Sequence, residues 1–124
     1  MKFNDVCWHD GKILNIFIDR SNPGYLDSIE MSITDCQQKK FRLLFEDVFY
    51  ADFKMNFFVI ASESILDASI NDNDARLIEI RREGDIHNTE ESLLKKMNCF
   101  EIETNSTGSH FKIYAVACKI EEVQ

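Results

Sequence analysis

KKFRLLFEDVFYADFKMNFF, residues 39–58, decides the fold because it fits two templates at once. Phe41, Phe45, Phe49, Phe53 and Phe57 recur at every fourth position, which places them on one face of a helix or of a strand. Leu44 and Val48 extend the helical stripe. The odd positions from 41 to 57, however, read F-L-F-D-F-A-F-M-F, eight apolar of nine. Aromatic enrichment and weak helix formers over 47–53 favour the pleated alternative. The stretch therefore predicts a strand near 39–45, a break or bulge at Glu46-Asp47, and a second strand near 48–54.

Working outward, KILNIFIDR (12–20) is rich in β-branched and aromatic residues, and SIEMSIT (28–34) alternates Ile29, Met31 and Ile33 with polar neighbours. Between them, Pro23-Gly24 suits the two central positions of a type II turn. Two strands joined by a turn is the economical reading. ESILDASI (63–70) reads as another short strand, whereas NDNDARLIEIRREGD carries helix punctuation. Asp72 or Asn73 caps it, acids open it, Arg81 and Arg82 close it, and Gly84 stops it, predicting a helix over about 74–83. NTEESLLKKMN repeats that grammar, with Thr89 as cap, Glu90 and Glu91 opening and Lys95 and Lys96 closing, over about 90–97. CFEIET and HFKIYAVACKIE are strands around the loop NSTGS. In the second, Phe111, Ile113, Ala115 and Ala117 face one way and Tyr114, Val116, Cys118 and Ile120 the other. Both faces are apolar, so this strand belongs in the middle of a sheet. The sum is an α+β domain spanning 1–124, with a curved antiparallel sheet of five to seven strands and two short helices.

The chain has 124 residues, 44% of them hydrophobic, and a domain of this size buries roughly two-thirds of its unfolded surface. No apolar run approaches the ~20 residues of a membrane span, and residues 1–12 lack a signal pattern, so a cytoplasmic protein is expected. Cys7, Cys36, Cys99 and Cys118 show no C-x-x-C spacing and read as structural thiols of a reducing compartment. The formal charge is −8, and residues 63–91 hold nine acids against three bases. Nucleic-acid binding draws its affinity from cations that displace condensed counterions, so that class is disfavoured. An acidic face steers a basic protein partner instead. The contact candidates on it are Asp67, Asp72, Asp74, Glu79 and Glu83.

Catalytic signals are sparse. VCWHDGKI (6–13) clusters a thiol, an indole, an imidazole and a carboxylate, but His9 and Asp10 would point to opposite faces of an extended chain. Cys7-x-His9 shares a face, and a closed metal site would need further ligands such as His110 or Cys118 without recognisable spacing. A Cys–His nucleophile pair from Cys7 and His9, or from Cys99 and His110, is formally available. Glu101 and Glu103 alternate onto the wet face of one strand. Counting from Asp72, Leu77 holds the sixth position that a calcium loop gives to glycine, so the EF-hand reading fails. No glycine-rich phosphate motif is present. The expectation is no cofactor and no metal, with Trp8 packing against the sheet and His9 and Asp10 at its wet edge, all three offered to a partner.

WHDGKILNIFIDRSNPGYLD, FEDVFYADFKMNFFVIASESI and FEIETNSTGSHFKIYAVACKIE together resemble small, acidic, cytosolic bacterial proteins. Some of that group are similar to immunity proteins encoded beside polymorphic or contact-dependent inhibition toxins. The resemblance implies a non-catalytic protein that binds one toxin domain tightly and blocks it; the sequence leaves open whether it is a monomer or a dimer. It carries over no functional residue. The alternative is a small-molecule binder or enzyme whose curved sheet cups a ligand against the phenylalanines of 41–57.

Overall fold

The ambiguous stretch is strand. In the computed structural model, which describes residues 1–87 and 91–124, it forms one long element, β3 (Lys40–Lys54). Around it lie β1 (Lys12–Asp19), β2 (Ser28–Thr34), β4 (Glu63–Ile70), β5 (Asn98–Thr104) and β6 (His110–Val123). Two helices, α1 (Ala75–His87) and α2 (Glu91–Lys95), stand between β4 and β5. The six strands close into an antiparallel barrel in the order β1-β2-β3-β6-β5-β4. The expected curved sheet thus goes all the way round.

The break expected at Glu46-Asp47 is a bend within one strand. Asp47 takes φ 54°, and the β3–β6 register slips by one residue between Val48 and Tyr50. The inward set is consequently Phe41, Leu43, Phe45, Val48, Ala51 and Phe53, while Phe49 turns out to solvent. The four-residue spacing of phenylalanines does not define one face, because the bulge re-aims part of the ladder. Phe41, Phe45 and Phe111 fill the barrel together with Met31, Ile33 and Ile102. Phe3 and Trp8 plug one end. Their rings lie 4.6 Å apart, Phe3 meets Phe100 at 5.1 Å, and the Trp8 indole Nε1–H donates to the Phe3 carbonyl at 2.8 Å.

As expected, β6 is apolar on both faces, but Cys118 and Ile120 pack on the barrel core with Phe111 and Ile113, and only Tyr114 and Val116 pack outward with Leu77, Ile80, Leu94, Met97 and Cys99 under the helices. The helix punctuation differs in two places. Asp74, not Asp72 or Asn73, caps α1, its carboxylate accepting the Leu77 N–H at 3.0 Å, so no acid occupies the first turn. Gly84 does not stop α1, which continues to His87. It is buried where α1 meets α2, and a β-carbon there would lie 2.9 Å from the Leu94 β-carbon. The second helix covers only Glu91–Lys95, and its expected cap Thr89 and first-turn Glu90 lie outside the described residues.

Asp10-Gly11 makes the turn into β1, with the Gly11 N–H donating to the Trp8 carbonyl at 2.8 Å. A β-carbon on Gly11 would fall 2.4 Å from the Thr34 carbonyl oxygen, a backbone atom that cannot swing aside. Gly11→Ala should therefore cost ~2 kcal/mol by overpacking, read as a lower midpoint in urea with an unchanged slope.

Candidate functional site

At one end the barrel is barely closed. β1 pairs with β4 only through Lys12 and Ile13, so residues 14–19 are laddered to β2 on one side and to no strand on the other among the described residues. A register shift between Ile13 and Asn15 turns Leu14 out, and Phe17 and Ile18 are exposed as well. Beside this edge lies a groove of about 440 Å³ lined by Leu14, Ile16, Ile18, Phe53 and Met55. An unpaired strand edge with an apolar surface is a template for association unless something covers it.

The segment that crosses from β3 to β4 adjoins the groove and exposes four apolar residues in a row. Phe57 is 72% exposed, Phe58 and Ile60 are fully exposed, and Val59 is exposed too. Phe58 holds φ 67°, a left-handed conformation that a bulky side chain rarely adopts. The base of the loop is tied to the β5–β6 turn. Asn56 Nδ2 donates to the Thr107 carbonyl at 2.8 Å, and the Ser106 hydroxyl donates to the Ser62 carbonyl at 2.5 Å. Ser64 N–H donates to the Ser106 oxygen at 2.9 Å, and the Thr107 hydroxyl donates to Glu63. These bonds hold an apolar tip in water on a braced stem. Such a tip loses little conformational freedom when a partner covers it, which is how preorganisation raises affinity.

The expected contact residues scatter. Asp67, Asp72, Glu79 and Glu83 are exposed, on β4, on the approach to α1 and on α1 itself, interspersed with the exposed Arg76 and Arg82. Asp72 lies 3.5 Å from Arg81. Asp74 is not a contact residue: it is 6% exposed and faces inward. Its carboxylate accepts from Lys112 Nζ at 2.8 Å and from the Tyr114 hydroxyl at 2.8 Å while capping α1. Burial pushes this carboxyl up, but the bonds from Lys112, the Leu77 N–H and Tyr114 outweigh it and hold it below its ordinary value. The same contacts raise Lys112, chiefly through its bond to Asp74, and raise Tyr114, chiefly through burial. The network fastens α1 to the barrel wall.

Trp8 is likewise buried in the plug and offers nothing to a partner. His9 and Asp10 are exposed as expected, but they do not point apart. The chain turns there, Asp10 taking φ 68°, and His9 Nε2 comes within 3.7 Å of Asp10 Oδ1. The His9 Nδ1–H donates to the Leu66 carbonyl at 2.9 Å, which sets this segment beside Asp67 on β4.

The cysteines divide in two. Cys7 and Cys36 form a disulfide, correcting the expectation of four thiols, and this also removes Cys7-x-His9 as a ligand pair or nucleophile pair. Cys99 and Cys118 are free. Burial pushes the Cys99 thiol up to about 11, with help from Asp74, and burial alone pushes Cys118 up to about 12. Thiolate is the reactive form, so neither should be labelled in the native protein near neutral pH. Unfolded without reductant, the chain should titrate two thiols; reduction beforehand should raise the count to four, and four without reductant would show the bridge unformed. His110 does not join Cys99. It comes together with Glu101 and Glu103, the one group of this kind among the described residues able to hold a metal ion.

The apolar tip was legible in principle. FFVI at 57–60 is an unalternating apolar run between two strands, but Phe57 also completes the four-residue phenylalanine series and is absorbed by it. No helix among the described residues is long and apolar enough to cross a membrane. No protein-family model matches the chain, and no curated protein matches it.

Proposed function

We propose that this chain is a non-catalytic binding protein, an immunity protein that neutralises a cognate toxin domain. The observation that carries the binding role is the braced loop presenting Phe57, Phe58, Val59 and Ile60 to solvent beside an open strand edge. Runs of exposed apolar residues lower solubility, and aromatic anchors seated in partner pockets supply most of the energy of an interface. The toxin frame rests on the resemblance of three segments to immunity proteins. The exposed acids Asp67, Asp72, Glu79 and Glu83 on β4 and α1, with His9 and Asp10 beside β4, are the charges that would steer a basic partner.

A ligand held inside the sheet has less support, because Phe3, Trp8, Phe41, Phe45, Phe100 and Phe111 occupy that space. The test is co-expression with the toxin domain encoded beside this chain. Protection of the host, a stable one-to-one complex and an association rate that falls with salt are the expected results. Failure to protect and to form a complex would remove the toxin reading, and a salt-independent rate would remove the steering argument.

A further inference from the structure

The β5–β6 hairpin brings together three side chains that the proposed partner-binding role does not use. Glu101 and Glu103 are two apart on β5 and so share its outer face, and His110 sits opposite Glu103 in the ladder. His110 Nε2 lies 2.5 Å from Glu101 Oε2 and 3.8 Å from Glu103 Oε1. One ligand atom from each of the three lies within 4.8 Å of the others. The side chains of Glu101 and His110 are largely sheltered, while that of Glu103 is 47% exposed.

We propose that Glu101, Glu103 and His110 bind a first-row divalent transition-metal ion on the outer face of the β5–β6 hairpin. A single imidazole nitrogen faces two carboxylates, and a proton on it can serve only one of them well. A divalent ion between the three satisfies all of them. Tetrahedral coordination at ordinary metal–ligand lengths needs ligand atoms ~3.3 Å apart, a value that the two observed separations bracket. The surroundings are prepared for it. Asn71 Nδ2 donates to the other Glu101 oxygen at 3.0 Å, fixing that carboxylate as outer-shell partners of metal ligands do. Lys112, opposite Glu101 in the ladder, gives its hydrogen bond to Asp74 and occupies none of the cluster's ligand atoms. One imidazole with two carboxylates suits ions of the zinc, cobalt and manganese type better than magnesium or calcium, which prefer oxygen alone. Solvent on the Glu103 side completes the shell.

The test uses the untagged full chain, stripped with a chelator and titrated with zinc chloride in a calorimeter. Saturable binding of one ion per chain is expected, weakened at least ~tenfold in His110→Ala and in Glu103→Gln and unchanged in His9→Ala. Circular dichroism confirms that each variant is folded, and cobalt-induced shifts of the His110 ring in the wild-type protein give a readout that needs no variant. Absence of saturable binding at millimolar zinc overturns the proposal. Binding that survives His110→Ala, or cobalt shifts centred on His9, does so equally.

Discussion

Asp74→Ala should lower the stability of the protein by ~3 kcal/mol, while Asp72→Ala two residues away should change it by less than ~0.5 kcal/mol. One carboxylate at position 74 does three things: it caps α1 through the Leu77 N–H, accepts the buried Tyr114 hydroxyl, and pairs with Lys112. Loss of the cap costs ~1 kcal/mol. Leaving the Tyr114 hydroxyl without a partner under the helices costs a further ~1–3 kcal/mol. The Lys112 side chain is 29% exposed and can turn to water, so its contribution is discounted. The Asp72 pair with Arg81 is 3.5 Å long and open to solvent. For a chain of this size the loss corresponds to a melting temperature ~10 °C lower. The same group gives a pH signature. Its folded carboxyl is held below the ordinary 3.8, so its stabilisation is complete above that value and is lost as pH falls through the folded-state value. Asp74→Asn should be less stable than wild type at neutral pH, with the difference closing in acid below about pH 4. Parallel melting curves for the two proteins across that range would remove Asp74 from the role given to it.

The sequence displays four consecutive cap-forming residues, Asn71 to Asp74, and every one satisfies the local rule. What selects Asp74 is Lys112 and Tyr114, which lie 38 and 40 residues away and reach it only after β6 joins the barrel. The pattern repeats elsewhere. ESILDASI becomes a strand with the expected bounds, since its β-branched residues and flanking turns are local signals. The Pro23-Gly24 turn forms too, with the Tyr25 N–H donating to the Asn22 carbonyl and Gly24 at φ 87°. Gly84 misleads because its lack of a side chain serves packing against Leu94, not helix termination, and a single sequence does not distinguish the two uses. The phenylalanines of 41–57 mislead because the irregular stretch from Asp47 to Tyr50 turns Phe49 out while Phe41, Phe45 and Phe53 stay in, and bulges leave no mark in hydrophobic spacing. Closure into a barrel and the Cys7–Cys36 bond are long-range facts, whereas His110 meets Glu101 across the expected hairpin through a register that the loop alone does not reveal. The acidic candidates rest on charge density alone. Density does not separate Asp74, buried in a network, from Glu79 and Glu83, which meet solvent.

Replacing Phe57 by Ser, Phe58 by Asn and Ile60 by Ser together should weaken partner binding at least ~100-fold and leave stability within ~0.5 kcal/mol. The two halves of that expectation have one cause. Phe58 and Ile60 are fully exposed and Phe57 mostly so, so their removal opens no cavity; Asn also accepts the left-handed backbone at position 58. In a complex each would leave water for a partner pocket, and a buried phenylalanine or isoleucine contributes ~1.5–3 kcal/mol, of which only part survives the costs of docking. The loss should appear mainly in dissociation, because a short-range apolar anchor acts after encounter. Charge reversal at Glu79 and Glu83 should do the opposite, slowing association and flattening its salt dependence with a smaller change in affinity. Surface plasmon resonance at two salt concentrations separates these signatures. A triple variant that dissociates like wild type would move the anchor away from the loop, to the open edge of β1 or to the exposed acids. A loss confined to the association rate would mean that the loop shapes the encounter without carrying the complex.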